Sequence, residues 1–200
     1  EQIKKANCLY YANLAQREQN SRTTLKKISD DFSGRFVLYD INLRKNCFTK
    51  EIIADSLQRA NILKLNEEEL ALLNDMFVLG QPSIRARAGQ LISLFNLEYV
   101  LTTLGDKGSF GVSNKGEEKY TRGFEVDLKD PVGSGDACTA GFIDSLLSGA
   151  SFKDAAVYGN ALGALVASQE GATQPVSRED VDEFISTTTL AQIHQEFEQT

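Results

Sequence analysis

The stretch Asp130-Pro131-Val132-Gly133-Ser134-Gly135-Asp136-Ala137 sets two glycines around a serine directly before a helical pattern. Glycines at such a place let backbone N–H groups turn inward and approach an anion closely. The N-terminus of the helix that follows adds about half a positive charge. Gly133, Ser134 and Gly135 are therefore candidates for an anion hole. Asp136 falls in the first turn of the helix, and two readings stand for it. It can cap the helix, since aspartate is a favoured cap. It can also stand at the rim of the anion hole and take the proton of a hydroxyl that attacks phosphorus. Ligands of open α/β sheets bind at the carboxyl ends of the strands, so the second reading requires a sheet upstream.

The upstream sequence supplies one. Short apolar runs at Cys8–Ala12, Phe36–Ile41, Ile62–Leu65 and Tyr99–Leu104 read as buried strands. Helical patterns lie between them. One starts at Ser21 and carries Leu25, Ile28 and Phe32 on a face; Glu51–Ala60 forms the next; Asn66 and Ser83 open two more. Four strand–helix repeats argue a largely parallel sheet flanked by helices on both faces. After the fourth strand, Phe110–Ser113 and Glu118–Thr121 flank Asn114-Lys115-Gly116-Glu117, which reads as a β-hairpin. A short strand is expected at Phe124–Val126, and the chain is helical from Asp136 onward. Gly149 lies just past the first of these helices, Ser151 begins a second that is rich in small residues, and Ser177 begins a third. With no internal repeat, low-complexity tract or linker, residues 1–200 are expected to form a single α/β domain.

Composition narrows the function. Hydrophobic residues make up 42% and charged residues 24% of the 200, which suits a soluble globular fold. The net charge of −7 disfavours a nucleic-acid partner but leaves room for a small anion in a locally positive pocket. Three cysteines at long spacings and one histidine, His194, make a Cys/His zinc site unexpected and fit a reducing compartment. No apolar run is long enough to span a membrane, and no signal peptide is expected, so the default location is cytoplasmic. His194 and the cysteines are expected to be structural or exposed.

Further motifs stand on the strand ends. Asp40-Ile41-Asn42-Leu43-Arg44 closes the second strand and Lys64-Leu65-Asn66-Glu67-Glu68-Glu69 the third. Asn66 and Glu69 alone are a capping box. Thr103-Leu104-Gly105-Asp106-Lys107-Gly108 alone is a tight turn, and it lacks the Walker A pattern. Taken with Gly133-Ser134-Gly135-Asp136, and with Asp130 and Gly141 around it, these four ordered motifs resemble those of the ribokinase-like (PfkB) carbohydrate kinases over roughly residues 8–186. The wording of the strand-end and glycine motifs is most similar to the fructokinase branch.

The resemblance implies MgATP-dependent phosphorylation of a sugar hydroxyl, of fructose or a related ketose. Asp136 would be the base, with the anion hole at Gly133, Ser134 and Gly135. The nucleotide would meet Asn42, Arg44, Lys64, Asn66, Thr103, Gly105, Lys107, Gly108 and Asn160. Glu69 would organise Mg²⁺ through water, and Asp130 would help hold a monovalent cation such as K⁺. The expected partners are ATP and a small sugar, and a homodimer is allowed for. The family's N-terminal third, with its di-glycine sugar motif and lid strands, has no counterpart in these residues, so the chain reads as the nucleotide-binding C-terminal portion of a longer sugar kinase. A non-catalytic nucleotide- or metabolite-binding protein is the rival reading.

Overall fold

The computed structural model describes residues 3–44 and 47–198. Six strands, β1 (Cys8–Ala12), β2 (Phe36–Asp40), β3 (Ile62–Asn66), β4 (Tyr99–Thr103), β5 (Ser109–Ser113) and β6 (Glu118–Thr121), lie in one sheet in chain order. β1 pairs parallel with β2, Cys8 opposite Phe36 and Ala12 opposite Asp40. β2 pairs parallel with β3, Leu38 opposite Ile62 and Asp40 opposite Lys64. Parallel neighbours need a crossover. Here α1 (Gln19–Asp31) and α2 (Lys50–Arg59) provide the first two, and α3 (Glu67–Met76) with α4 (Ile84–Phe95) leads from β3 to β4. After the β5–β6 hairpin come α5 (Ser134–Leu147), α6 (Phe152–Ala167) and α7 (Arg178–Thr187). Among the described residues no helix is long and apolar enough to cross a membrane.

The chain forms two compact units: one reaches to Thr102 and includes Val112–Glu118, and the other comprises Thr103–Gly111 and the residues from Lys119 onward. The first unit is built on β1–β3. Phe36, Leu38, Tyr39, Ile62, Leu63 and Leu65 are all fully buried, which is why these strands are nearly unbroken apolar runs rather than alternating ones. Ile53 and Leu57 of α2 and Leu70 and Leu73 of α3 supply the helical side of that core. The helix starts follow side-chain chemistry: Thr49, Asn66 and Ser83 each accept an N–H of the helix they open.

In the second unit α5 and α6 pack through small residues. A methyl group on Gly159 would lie 2.7 Å from the Cys138 carbonyl oxygen, and one on Gly163 would lie 2.9 Å from that of Ser134. The small-residue helix read from the sequence is thus the seat on which α5 and its first turn rest. Ser151 and Ser177 cap α6 and α7, the latter through a capping box with Asp180.

Three expectations shift. α1 begins at Gln19 rather than behind Ser21, and its N-cap Glu18 makes no side-chain cap bond. The Arg22 guanidinium instead grips the Gln16 carbonyl and the Gln19 side chain, which fixes the helix entry from within. α5 starts at Ser134, two residues ahead of Asp136. Phe124–Val126 is not a strand: Phe124 makes a single antiparallel bridge to Leu190, because its backbone faces the C-terminal segment instead of another strand.

Replacing Gly159 by alanine should destabilise the protein by about 1–3 kcal/mol through overpacking against backbone that has no room to move. The denaturant midpoint measures this, and an unchanged midpoint would show that the two helices can separate at no cost.

Candidate functional site

In the first unit the polar chemistry gathers at the carboxyl ends of β2 and β3. Asp40, the last residue of β2, is fully buried, and Lys64 Nζ reaches its two carboxylate oxygens at 3.1 and 3.3 Å. A lysine inside an apolar strand is tolerated only because the parallel register sets that carboxylate opposite it. Lys64 is therefore committed to Asp40, and it is 8% exposed.

The loop that follows β2 is held at successive residues. The Ile41 N–H donates to the Lys64 carbonyl at 3.0 Å. The Ile41 carbonyl accepts from the Asn13 side-chain amide at 2.6 Å, and Asn13 Oδ1 accepts from the Tyr39 hydroxyl at 2.7 Å. Burial pushes that hydroxyl's pKa upward, so Tyr39 stays a donor. The Leu43 N–H donates to Glu69 Oε1 at 2.8 Å. Glu69 Oε2 accepts from the Asn66 N–H at 2.9 Å while Asn66 Oδ1 accepts from the Glu69 N–H at 2.8 Å. The capping box expected from the sequence is present, and Glu69 does a second thing that the sequence did not announce: it pins the loop after β2 to the start of α3. Among the described residues, the side chains of Asn42, half-buried at φ +35°, and of exposed Arg44 make no hydrogen bond or ion pair. They are the polar groups this anchored loop presents.

In the second unit, Gly105–Lys107 form a single 3-10 turn with Gly108 as its C-cap. Gly108, at φ +98°, faces the backbone of Thr121–Gly123, and Gly123 faces the Asp106 carbonyl; a methyl group on either would collide with backbone. Tyr120 donates its hydroxyl to the Lys107 carbonyl at 2.8 Å. Lys107 Nζ lies 3.4 Å from Asp106. Thr103 is half-buried at the end of β4. Asn160, 8% exposed, donates its amide to the Thr121 carbonyl at 3.1 Å and accepts a long contact of 4.0 Å from the Cys138 thiol. It therefore acts here as a hydrogen-bonded core amide.

The same unit carries the glycine turn. Gly133 sits at φ +83° as the N-cap of α5, and a methyl group there would lie 2.7 Å from Ala172 Cβ. Both glycine properties, the left-handed backbone and the missing side chain, are used. The Asp130 carboxylate accepts from the Val132 N–H at 3.0 Å. Ser134 donates its hydroxyl to the Pro131 carbonyl at 2.8 Å, and its N–H reaches the same oxygen at 3.3 Å. Of the three amides expected to form an anion hole, that of Ser134 is turned toward Pro131. Gly135 lies at the second helical position, where an N–H has no partner within the helix. Asp136 is exposed in the first turn.

Metal binding can be judged from these donors. Among the described residues no group of three or more His, Cys, Asp or Glu could hold an ion. Each Glu69 carboxylate oxygen already accepts a backbone N–H. That set fits a hydrated Mg²⁺ carried by nucleotide phosphates, touched through water, and does not fit a cage built by the protein alone.

Residues 1–179 match the pfkB family carbohydrate kinase description. The chain belongs to the pfkB family. It is 32% identical over 137 residues to the ribokinase of Haemophilus influenzae, covering 68% of this chain and 44% of that protein. It is 30% identical over 151 residues to the fructokinase of Vibrio alginolyticus, covering 70% and 47%. The chain thus spans about half the length of the curated relatives it matches. The crystal structure of Vibrio cholerae fructokinase with fructose, ADP and calcium superposes with a TM-score of 0.76 at 26% identity, over 89% of this chain and 60% of that one. A double mutant of that fructokinase, at 25% identity, a TM-score of 0.76 and covering 91% and 61%, was solved with fructose, ADP and potassium.

The sequence did not single out Asn13, Tyr39 or Gly123. The signals were faint: an asparagine at a strand end, a tyrosine in an apolar run, and one glycine among many. Two measurements test the geometry. Glu69→Gln keeps one acceptor oxygen and turns an NH₂ group toward a second backbone N–H, so it should destabilise by about 1–3 kcal/mol. A loss below a few tenths would mean that Leu43 and Asn66 do not share this carboxylate. Lys64→Met should cost about 3–5 kcal/mol by leaving the Asp40 carboxylate buried without its cation, and adding Asp40→Leu should restore most of it. A double variant no better than the single one would refute the pairing.

Proposed function

We propose that the protein to which this chain belongs phosphorylates a sugar hydroxyl, of fructose or a related ketose, from MgATP. The observation that carries the reading is the start of α5. A left-handed Gly133 opens the helix, Gly163 seats its first turn, and an exposed Asp136 stands beside the amide end. Membership of the pfkB family and the likeness to fructokinases support the choice of reaction and substrate class.

Asp136 takes the proton of the acceptor hydroxyl. The hydroxyl oxygen bonds to the γ-phosphorus, the bond to the β,γ-bridging oxygen breaks, and ADP leaves with that electron pair. The Gly133 and Gly135 amides and the α5 dipole stabilise the charge that accumulates on the transferring group. Ser134 holds the turn in shape through Pro131. Asn42 and Arg44, whose side chains have no hydrogen-bond or ion-pair partner among the described residues, take nucleotide phosphate. Lys64 contributes to that site as the partner that keeps Asp40 and the loop in place. Asn66 and Glu69 meet the water shell of Mg²⁺, which when bound supplies charge neutralisation on the phosphates. Thr103, Gly105, Lys107 and Gly108 line the nucleotide site, with Asn160 behind them as support for residues 121–122. Asp130, with its second carboxylate oxygen, helps hold a monovalent cation, in keeping with the potassium in the fructokinase double mutant. None of the three cysteines is in a disulfide, which fits work in a reducing cytoplasm.

Asp136→Asn keeps the side-chain size, and the N-cap of α5, Gly133, is untouched. In the full-length protein it should lower kcat for sugar phosphorylation by roughly 10²- to 10⁴-fold while ATP affinity holds. Retention of more than about a tenth of kcat would reduce Asp136 to an acidic residue of the first helical turn. ATP binding with no turnover in the unaltered full-length protein would instead favour a non-catalytic nucleotide binder.

A further inference from the structure

The C-terminal segment after α7 lies beyond residues 1–179, the part matched to the family. It is nonetheless built into the turn at residues 105–108. Thr189 and Ala191 exchange backbone hydrogen bonds with Glu125 and Gly123, each at 2.8 Å. The Arg122 guanidinium donates to the Leu190 and Ala191 carbonyls. Phe197, 4% exposed, stacks on Tyr120 at 4.5 Å between centroids and on Phe110 at 5.0 Å. The Tyr120 hydroxyl joins these parts. It accepts the His194 N–H at 2.8 Å and donates to the Lys107 carbonyl at 2.8 Å.

A single hydroxyl thus carries one bond in and one bond out, and its ring is clamped by a C-terminal phenylalanine. The turn that receives the outgoing bond has few bonds of its own: Lys107 N–H to Leu104, Gly108 N–H to Gly105, and Leu104 N–H to Gly108. Gly105 and Gly108 add backbone freedom that a ligand-binding turn must not retain. We infer that Tyr120 is a positioning residue for the nucleotide turn, and that residues 188–197 are the brace that holds it there. The inference rests on the proposed nucleotide role of that turn. It assigns to the C-terminal segment a part in ATP affinity, although no residue of the segment need touch ATP.

Tyr120→Phe tests it, because the ring and its stack on Phe197 stay and only the two hydroxyl bonds go. Two measurements are made on the same protein. Hydrogen exchange at the Lys107 and Gly108 amides should rise about threefold or more, and calorimetric ATP affinity should fall about three- to tenfold, the range expected for one neutral hydrogen bond. Phe197→Ala should move both in the same direction. Unchanged exchange in both variants would overturn the brace, whatever ATP does. Faster exchange with unchanged ATP affinity would uphold the brace as structure and overturn the nucleotide role of the turn. The same holds if the unaltered protein binds no ATP.

Discussion

The Glu69 carboxylate is the constraint on which the first unit's polar edge depends. Its two oxygens accept N–H groups from two different elements, Leu43 after β2 and Asn66 at the start of α3. A carboxylate is well matched to this, since it accepts only and can do so at both oxygens. The distance between a strand-end loop and a helix start is thereby fixed by one side chain. The Asp40–Lys64 pair does the same one residue row deeper, where the parallel register sets the two opposite each other. Together with Asn13 on the Ile41 carbonyl, these bonds remove the freedom of residues 40–43 and leave Asn42 and Arg44 as the side chains on offer. Pre-organisation of this kind lets a site bind a phosphate without first ordering a loop.

The second unit sets its turns and helices by a different means. Its device is close backbone approach. Gly108 and Gly123 meet face to face across a turn, and Gly159 and Gly163 let α6 lie against the carbonyls of α5. Where backbones come this near, any side chain is an intrusion, so the residue type follows from distance alone. Such contacts seat the first turn of α5 by backbone approach and add no charge of their own near its N-terminus.

Much of this was legible in the sequence, and for identifiable reasons. β2 to β4 are buried on both sides, so their apolar runs stand out against the helical periodicity between them, while β1 is read from its short apolar run alone. Asn66 with Glu69 announced a capping box because the spacing is local. What lay hidden was long-range. Nothing local says that Glu69 also bonds Leu43, that Asn13 reaches Ile41, or that Lys64 has Asp40 opposite it, since each requires the sheet register to be known first. The Phe124–Val126 segment has the composition of a strand, yet its partner comes from the C-terminal segment, and only one bridge forms. Ser134 looked like an anion-hole amide from its place between glycines; the Pro131 carbonyl, three residues back, claims its N–H and hydroxyl.

The place of Asp136 in the first turn of α5 bears on how it can work. A carboxylate beside a helix N-terminus is stabilised by the same partial charge that would attract a phosphate, by roughly 0.3–1 kcal/mol at an exposed position. The two anions therefore compete for one field, and a bound phosphate raises the energy of the carboxylate next to it. For a cap this would be a defect. For a base in the proposed transfer it is useful, because taking up the hydroxyl proton removes the carboxylate's charge and with it the repulsion. In the proposed transfer the acceptor hydroxyl would approach the exposed side of Asp136, so that proton transfer accompanies the bond to phosphorus.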